Sequence, residues 1–161
     1  MRLTMKFKIR TDKQSVLRET IRQYTDSYNR VCAIGWKKKR ISGVELHHDT
    51  YTNERSITDL PSQLVISARA GAMESLLAAR ALQKKGCKVS CPTSLSCPVR
   101  YDERSANIKL QEGYATLASI DGRVRVELLI KKHHKHLNWK ICSSELRENK
   151  KGFWLYVVVE M

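Results

Sequence analysis

Four cysteines, Cys87, Cys91, Cys97 and Cys142, are the first residues whose type could do chemistry, because thiolates are the usual ligands of structural zinc. Their spacing argues against it. A zinc knuckle sets two cysteines two to four residues apart twice over, whereas Cys87-x3-Cys91 supplies one such pair, and Pro92 and Pro98 interrupt the approach to Cys97. With Cys32 the count is five, an odd number, so reduced thiols and no metal are expected. His133, His134 and His136 sit in a lysine-rich turn where imidazoles could titrate or meet phosphate, but a solvated loop accounts for them better. Hydrolytic chemistry needs carboxylates gathered near a metal. The acids here, Asp102, Glu103, Glu112, Asp121, Glu145 and Glu148, read mostly as turn or helix-surface residues, and no glycine-rich phosphate loop, nucleophile elbow or HExxH occurs. No catalytic residue and no cofactor is predicted.

The cations say more. Lys and Arg number 30 against 16 Asp and Glu in 161 residues, a formal charge of +14 that points to a polyanionic partner. The surplus is uneven: +9 in residues 1–40, zero in 41–86 and +5 in 87–161. Lys37-Lys38-Lys39-Arg40 falls at a predicted helix end, where cations oppose the negative pole of the dipole, so a solvated terminus would explain the run alone. Taken with Lys6, Lys8, Arg10, Arg18, Arg22 and Arg30 it reads as a phosphate track, since the local sequence offers no acidic partners to neutralise it.

These side chains need elements to hold them. Residues 3–10 alternate, with Met5, Phe7 and Ile9 on one side and Lys6, Lys8 and Arg10 on the other, as in a half-buried strand. Thr11 and Gln14 have capping-box spacing, and Leu17, Ile21, Tyr24, Tyr28 and Val31 then recur every three or four residues until Gly35, predicting a helix. Arg18, Arg22 and Arg30 lie away from that stripe and are predicted to be free for solvent or phosphate. Ser42 and Glu45 predict a second helix to about Arg55, and Leu60-Pro61-Ser62 a third, Ala-rich one that runs to Lys85 and ends at Gly86. From Lys88 the period changes to two, with strands predicted at 107–111, 114–119, 123–130, 140–147 and 153–159. The expected fold class is α+β: a β-barrel built from the N-terminal strand and residues 88–161, with the helices inserted between them. No apolar run approaches the roughly 18 residues of a membrane span and no signal peptide is visible, so a cytoplasmic protein without a membrane partner is expected.

Several phrases, in this order, resemble a known family: the basic first strand, the helix with Tyr24, Tyr28 and Asn29-Arg30, Leu60-Pro61-Ser62-Gln63, Pro98-Val99-Arg100-Tyr101-Asp102, and the closing Phe153-Trp154-Leu155-Tyr156-Val157-Val158-Val159-Glu160. Together they are similar to the N-terminal region of TnpB/OrfB proteins, transposon-encoded RNA-guided nucleases related to type V CRISPR effectors. The resemblance implies an oligonucleotide-binding-like wedge barrel (1–10 and 88–161) and an inserted recognition lobe (11–87). It implies partners too: structured guide RNA and double-stranded DNA next to the target. Gln63 and Ser67, one turn apart, would read base edges, with His47 as a further contact and Arg100 and Arg104 as cationic contacts. In that family a RuvC-like nuclease follows the last strand, and this chain stops at Met161 before it. The protein is therefore expected to be no enzyme on its own but a truncated or split nucleic-acid-binding portion. A separately encoded RuvC chain could complete it, or it could be a remnant of a mobile element.

Overall fold

The computed structural model describes residues 1–161. The chain is α+β: β1 (Arg2–Arg10), α1 (Gln14–Trp36), α2 (Gly43–Ile57), α3 (Ser62–Lys84), β2 (Val99–Tyr101), β3 (Ala106–Lys109), β4 (Tyr114–Ser119), β5 (Gly122–Leu128), β6 (Lys140–Asn149) and β7 (Gly152–Glu160). It divides into two units, residues 1–21 with 98–161, and residues 22–97. No helix is long and apolar enough to cross a membrane.

The first unit is a nearly closed antiparallel barrel with strand order β2-β6-β7-β1-β5-β4-β3. β1 joins its two halves. Arg2 to Lys8 pair with β7, in register Lys6↔Tyr156 and Lys8↔Trp154, while Ile9 and Arg10 pair with Leu128 and Glu127 of β5. Side chains alternate along each strand, so Met5, Phe7 and Ile9 enter the core with Val124, Val126, Leu128, Phe153, Leu155, Val157 and Val159. The edge strands β2 and β3 do not pair with each other, but the Tyr101 hydroxyl donates to the Ala118 carbonyl of β4 at 2.9 Å across that seam.

In the second unit the core gathers Val31, Cys32, Leu46, Ala72 and Leu76. α3 ends as its sequence predicts: Gly86 takes φ +85°, and the Gly86 and Cys87 amides return to the Gln83 and Leu82 carbonyls. The helix starts differ from the expected boxes. Thr11 accepts the Lys13 amide two residues on, and Lys13 supplies the first helical carbonyl; Ser42 occupies the N-cap of α2, but its side chain makes no capping bond. On α3, Ala68, Gly71, Ala72 and Ala79 are buried, but Ala70, Ala78 and Ala81 are exposed.

Residues 88–97 are not a strand, contrary to the period-two reading from Lys88. Polar side chains of α1 take the place of a strand neighbour. Asn29 pairs with the Ser94 backbone in both directions at 2.9 Å, and Thr25 accepts the Cys97 amide at 2.8 Å. Pro92 and Pro98 lack the amides a ladder would use.

Candidate nucleic-acid interface

The hairpin of β6 and β7 presents two aromatic rings on the outer face of the barrel. Because Phe153, Leu155 and Val157 point inward, Trp154 and Tyr156 must point out, and both are only half-buried. The register sets cations beside them: Lys6 and Lys8 on β1, Arg147 on β6 opposite Trp154. The Tyr156 ring lies under two of these, with the Arg147 guanidinium 4.4 Å and the Lys6 ammonium 5.2 Å from its centroid. Glu145 answers Arg147 at 2.7 Å and is the carboxylate on this patch.

The connecting turn is built around Asn149 and Gly152. Gly152 adopts φ +125°, which L side chains rarely do, and the Asn149 carbonyl oxygen Oδ1 accepts both the Lys151 amide at 2.8 Å and the Trp154 indole N–H at 3.3 Å. Asn149 therefore holds the turn and sets the Trp154 ring together. Lys150 and Lys151 complete a shallow depression of about 410 Å³ lined also by Lys6, Asn149, Trp154 and Tyr156. Cations around exposed rings can hold phosphates while bases lie on aromatic faces.

The other expected contact residues are placed as follows. Arg10 is exposed at the end of β1, and Arg100 is exposed opposite Glu145 on β6. Arg104 pairs with Asp102 at 3.3 Å in its own turn. Lys37, Lys39 and Arg40 are exposed beyond the end of α1, where Arg80, rather than the basic run, holds the Trp36 and Lys38 carbonyls and covers the Trp36 ring at 4.5 Å. Gln63 and Ser67 are half-buried on α3, and the Ser67 hydroxyl is bonded to the Tyr24 hydroxyl at 2.8 Å. His47 stacks on Tyr51 with its Nδ1 buried and unpartnered.

The expectation that the N-terminal cations lack acidic partners is overturned for four of the ten. Arg18 meets Glu148 at 2.9 Å, Arg22 meets Asp26 at 2.8 Å, Lys38 meets Asp49, and Arg30 grips the buried Glu54 through both oxygens. Three of these carboxylates lie far along the chain from their partners, so a scan of neighbouring residues passes them by; Asp26, four residues from Arg22 on the same helix, was in reach of one. Conversely, Trp154, Tyr156, Arg147, Lys150 and Lys151 were not among the expected contacts. Residues 153–159 are apolar throughout, so the strand gives no sign of which side chains face out; the alternating burial of β7 does.

Cys91 packs against the core that holds Cys32, but no group of three or more His, Cys, Asp or Glu is placed to hold a metal ion. Burial pushes the Cys32 thiol up to about 11, which leaves it protonated and unreactive near neutrality.

His134 fastens the basic loop before β6. Its Nδ1 accepts the Lys131 amide at 3.0 Å, its Nε2–H donates to the Lys6 carbonyl at 2.9 Å, and its ring lies 4.4 Å from that of buried Phe7. Burial lowers its pKa, with the nearby His133 and Lys131 charges adding to the effect against the Lys6 bond. A second proton would face the Lys131 N–H, donor against donor. The neutral ring's stabilising contribution is therefore complete above the ordinary imidazole value of 6.5 and is lost as pH falls through the depressed folded value. Urea midpoints measured from pH 7.5 to pH 5 are expected to fall less for His134→Gln than for the unaltered protein; parallel curves would show that this ring does not titrate as described.

Compared with known proteins, the chain matches no family model and no curated protein sequence.

Proposed function

We propose that this protein binds nucleic acid through the outer face of β1, β7 and β6, as the guide-RNA and target-adjacent-DNA-binding portion of a TnpB-like protein. In this reading the barrel is an oligonucleotide-binding-like wedge, the helices are the recognition lobe, and cleavage is the work of a RuvC-like domain. The observation that carries the proposal is the convergence of Lys6, Lys8, Arg147, Lys150 and Lys151 around two half-buried, outward-facing rings, with Glu145 as the opposing charge. A barrel interrupted after its first strand by three helices also supports the resemblance drawn from the sequence.

Phosphate contacts release counterions, so affinity should fall steeply with salt, roughly 0.7 to 0.9 logarithmic units per contact for each tenfold rise. For about five contacts, raising salt from 50 to 200 mM is expected to weaken binding roughly 100- to 500-fold. Filter binding of a folded RNA and of a random duplex at several salt concentrations measures this. Preference for the folded RNA with a steep slope is the expected result; weak, equal binding to both with a flat slope would overturn the proposal.

A further inference from the structure

We infer that Trp154 and Tyr156 form a stacking platform for an unpaired stretch of nucleic acid, so that this face takes a single strand rather than a duplex. The inference rests on the nucleic-acid reading above and goes further by naming the state of the ligand. Residues two apart on a strand project from one face about 6.8 Å apart, twice the about 3.4 Å rise between successive bases. The two rings can thus engage bases of one short run, the Arg147 guanidinium and the Lys6 ammonium leaving the Tyr156 ring, where they rest at 4.4 and 5.2 Å, to track its backbone. Tyr156 lies between Arg147 and Lys6, and Trp154 has Lys8 opposite on β1 and Arg147 opposite on β6. Phosphate charge therefore has a partner on either flank of the aromatic strip.

Stacking needs open base faces. In a duplex those faces are covered by neighbouring pairs, leaving only phosphates for this surface to contact. The indole orientation is fixed before any ligand arrives, because its N–H is held by Asn149 at 3.3 Å and the same oxygen anchors the turn. A ring already ordered loses little freedom on binding. The depression between Trp154, Tyr156 and the 149–151 turn is open enough to admit a base from solvent and is polar at its rim through Lys150 and Lys151.

The test uses the full chain with twelve-nucleotide oligo-uridylate and oligo-thymidylate and a blunt duplex of equal length. Both single strands are expected to bind more tightly than the duplex. The double variant Trp154→Leu/Tyr156→Thr is expected to weaken single-strand binding roughly tenfold or more while changing duplex binding less than twofold. A double variant that keeps its circular dichroism spectrum and binds oligo-uridylate as well as the unaltered protein would overturn the platform. Should that variant fail to fold, photocrosslinking of 5-iodouracil-substituted RNA to the unaltered protein decides: adducts on Trp154 or Tyr156 support the platform, and adducts confined to other residues overturn it. Duplex and single strand bound equally would sink this inference and leave the nucleic-acid reading standing, whereas no binding to either would sink both.

Discussion

Replacing Arg30 with methionine is expected to destabilise the helical unit by about 3 kcal/mol, at the lower end of the range for breaking a buried ion pair. The two partners are unequal. Glu54 is 1% exposed on its side chain and Arg30 38%, so loss of Arg30 leaves a carboxylate buried among α1 and α2 without its three close contacts of 2.8, 3.1 and 2.8 Å. Loss of Glu54 leaves a guanidinium that water can reach. The order of cost should therefore be Arg30→Met greater than Glu54→Gln, and the double variant Arg30→Met/Glu54→Leu should recover much of the loss, because no charge is then stranded. Urea denaturation followed by helical circular dichroism measures all three. If Arg30→Met proved no more harmful than Glu54→Gln, the asymmetry of burial would not govern this pair. The same experiment separates two readings of Arg30, since a phosphate contact on an exposed helix face would cost almost nothing in stability when removed.

Alternation made the barrel strands legible, and periodicity made the helices so, because both depend on residues close in sequence. Met5, Phe7 and Ile9 point inward as their spacing predicts, and Gly86 ends α3 where a left-handed residue is needed. What depends on residues far apart could not be read this way. Gly35 is the plainest case. Periodicity ends α1 at Gly35, and the helix closes one residue later at Trp36; what periodicity does not show is that Gly35 is buried, where an added Cβ would come 2.5 Å from Cδ1 of Leu76 on α3. That need for a glycine is set by a neighbour 41 positions away.

The candidate site divides along the same line. That Trp154 and Tyr156 face outward is set by the pleat of β7, whose burial alternates although residues 153–159 are apolar throughout. That Lys6 and Lys8 stand beside them follows only from the β1–β7 register, and that Arg147 does so from β6–β7. A count of cations by segment located the surplus but not its counter-charges: Glu148 reaches Arg18 from 130 residues away and Glu54 reaches Arg30 from 24. Net charge is a property of composition, whereas a usable cationic face is a property of pairing.

Phe7→Ala is expected to cost the barrel about 3–5 kcal/mol, the largest effect of any single change considered. Phe7 is completely buried and sits in the Arg2–Lys8 stretch paired with β7, just before Ile9 and Arg10 turn the pairing over to β5. Removing its ring takes a large apolar group out of the core and leaves a void that the strand cannot close, because Phe7 and its neighbours Lys6 and Lys8 are held in the ladder opposite Leu155, Tyr156 and Trp154. It also removes the surface on which His134 rests at 4.4 Å, exposing that imidazole from below. Lys6→Thr is the companion change: one residue earlier, same strand, outward-facing and exposed, with an expected effect within about 0.5 kcal/mol on stability. Thermal unfolding should show a midpoint lowered by roughly 6–20 °C for Phe7→Ala and scarcely moved for Lys6→Thr. The contrast follows from a shift of one position on a strand whose two faces meet different surroundings; similar midpoints for the two variants would mean that β1 is not built into the barrel as a two-faced strand, and the cationic face argued from its register would fall with it.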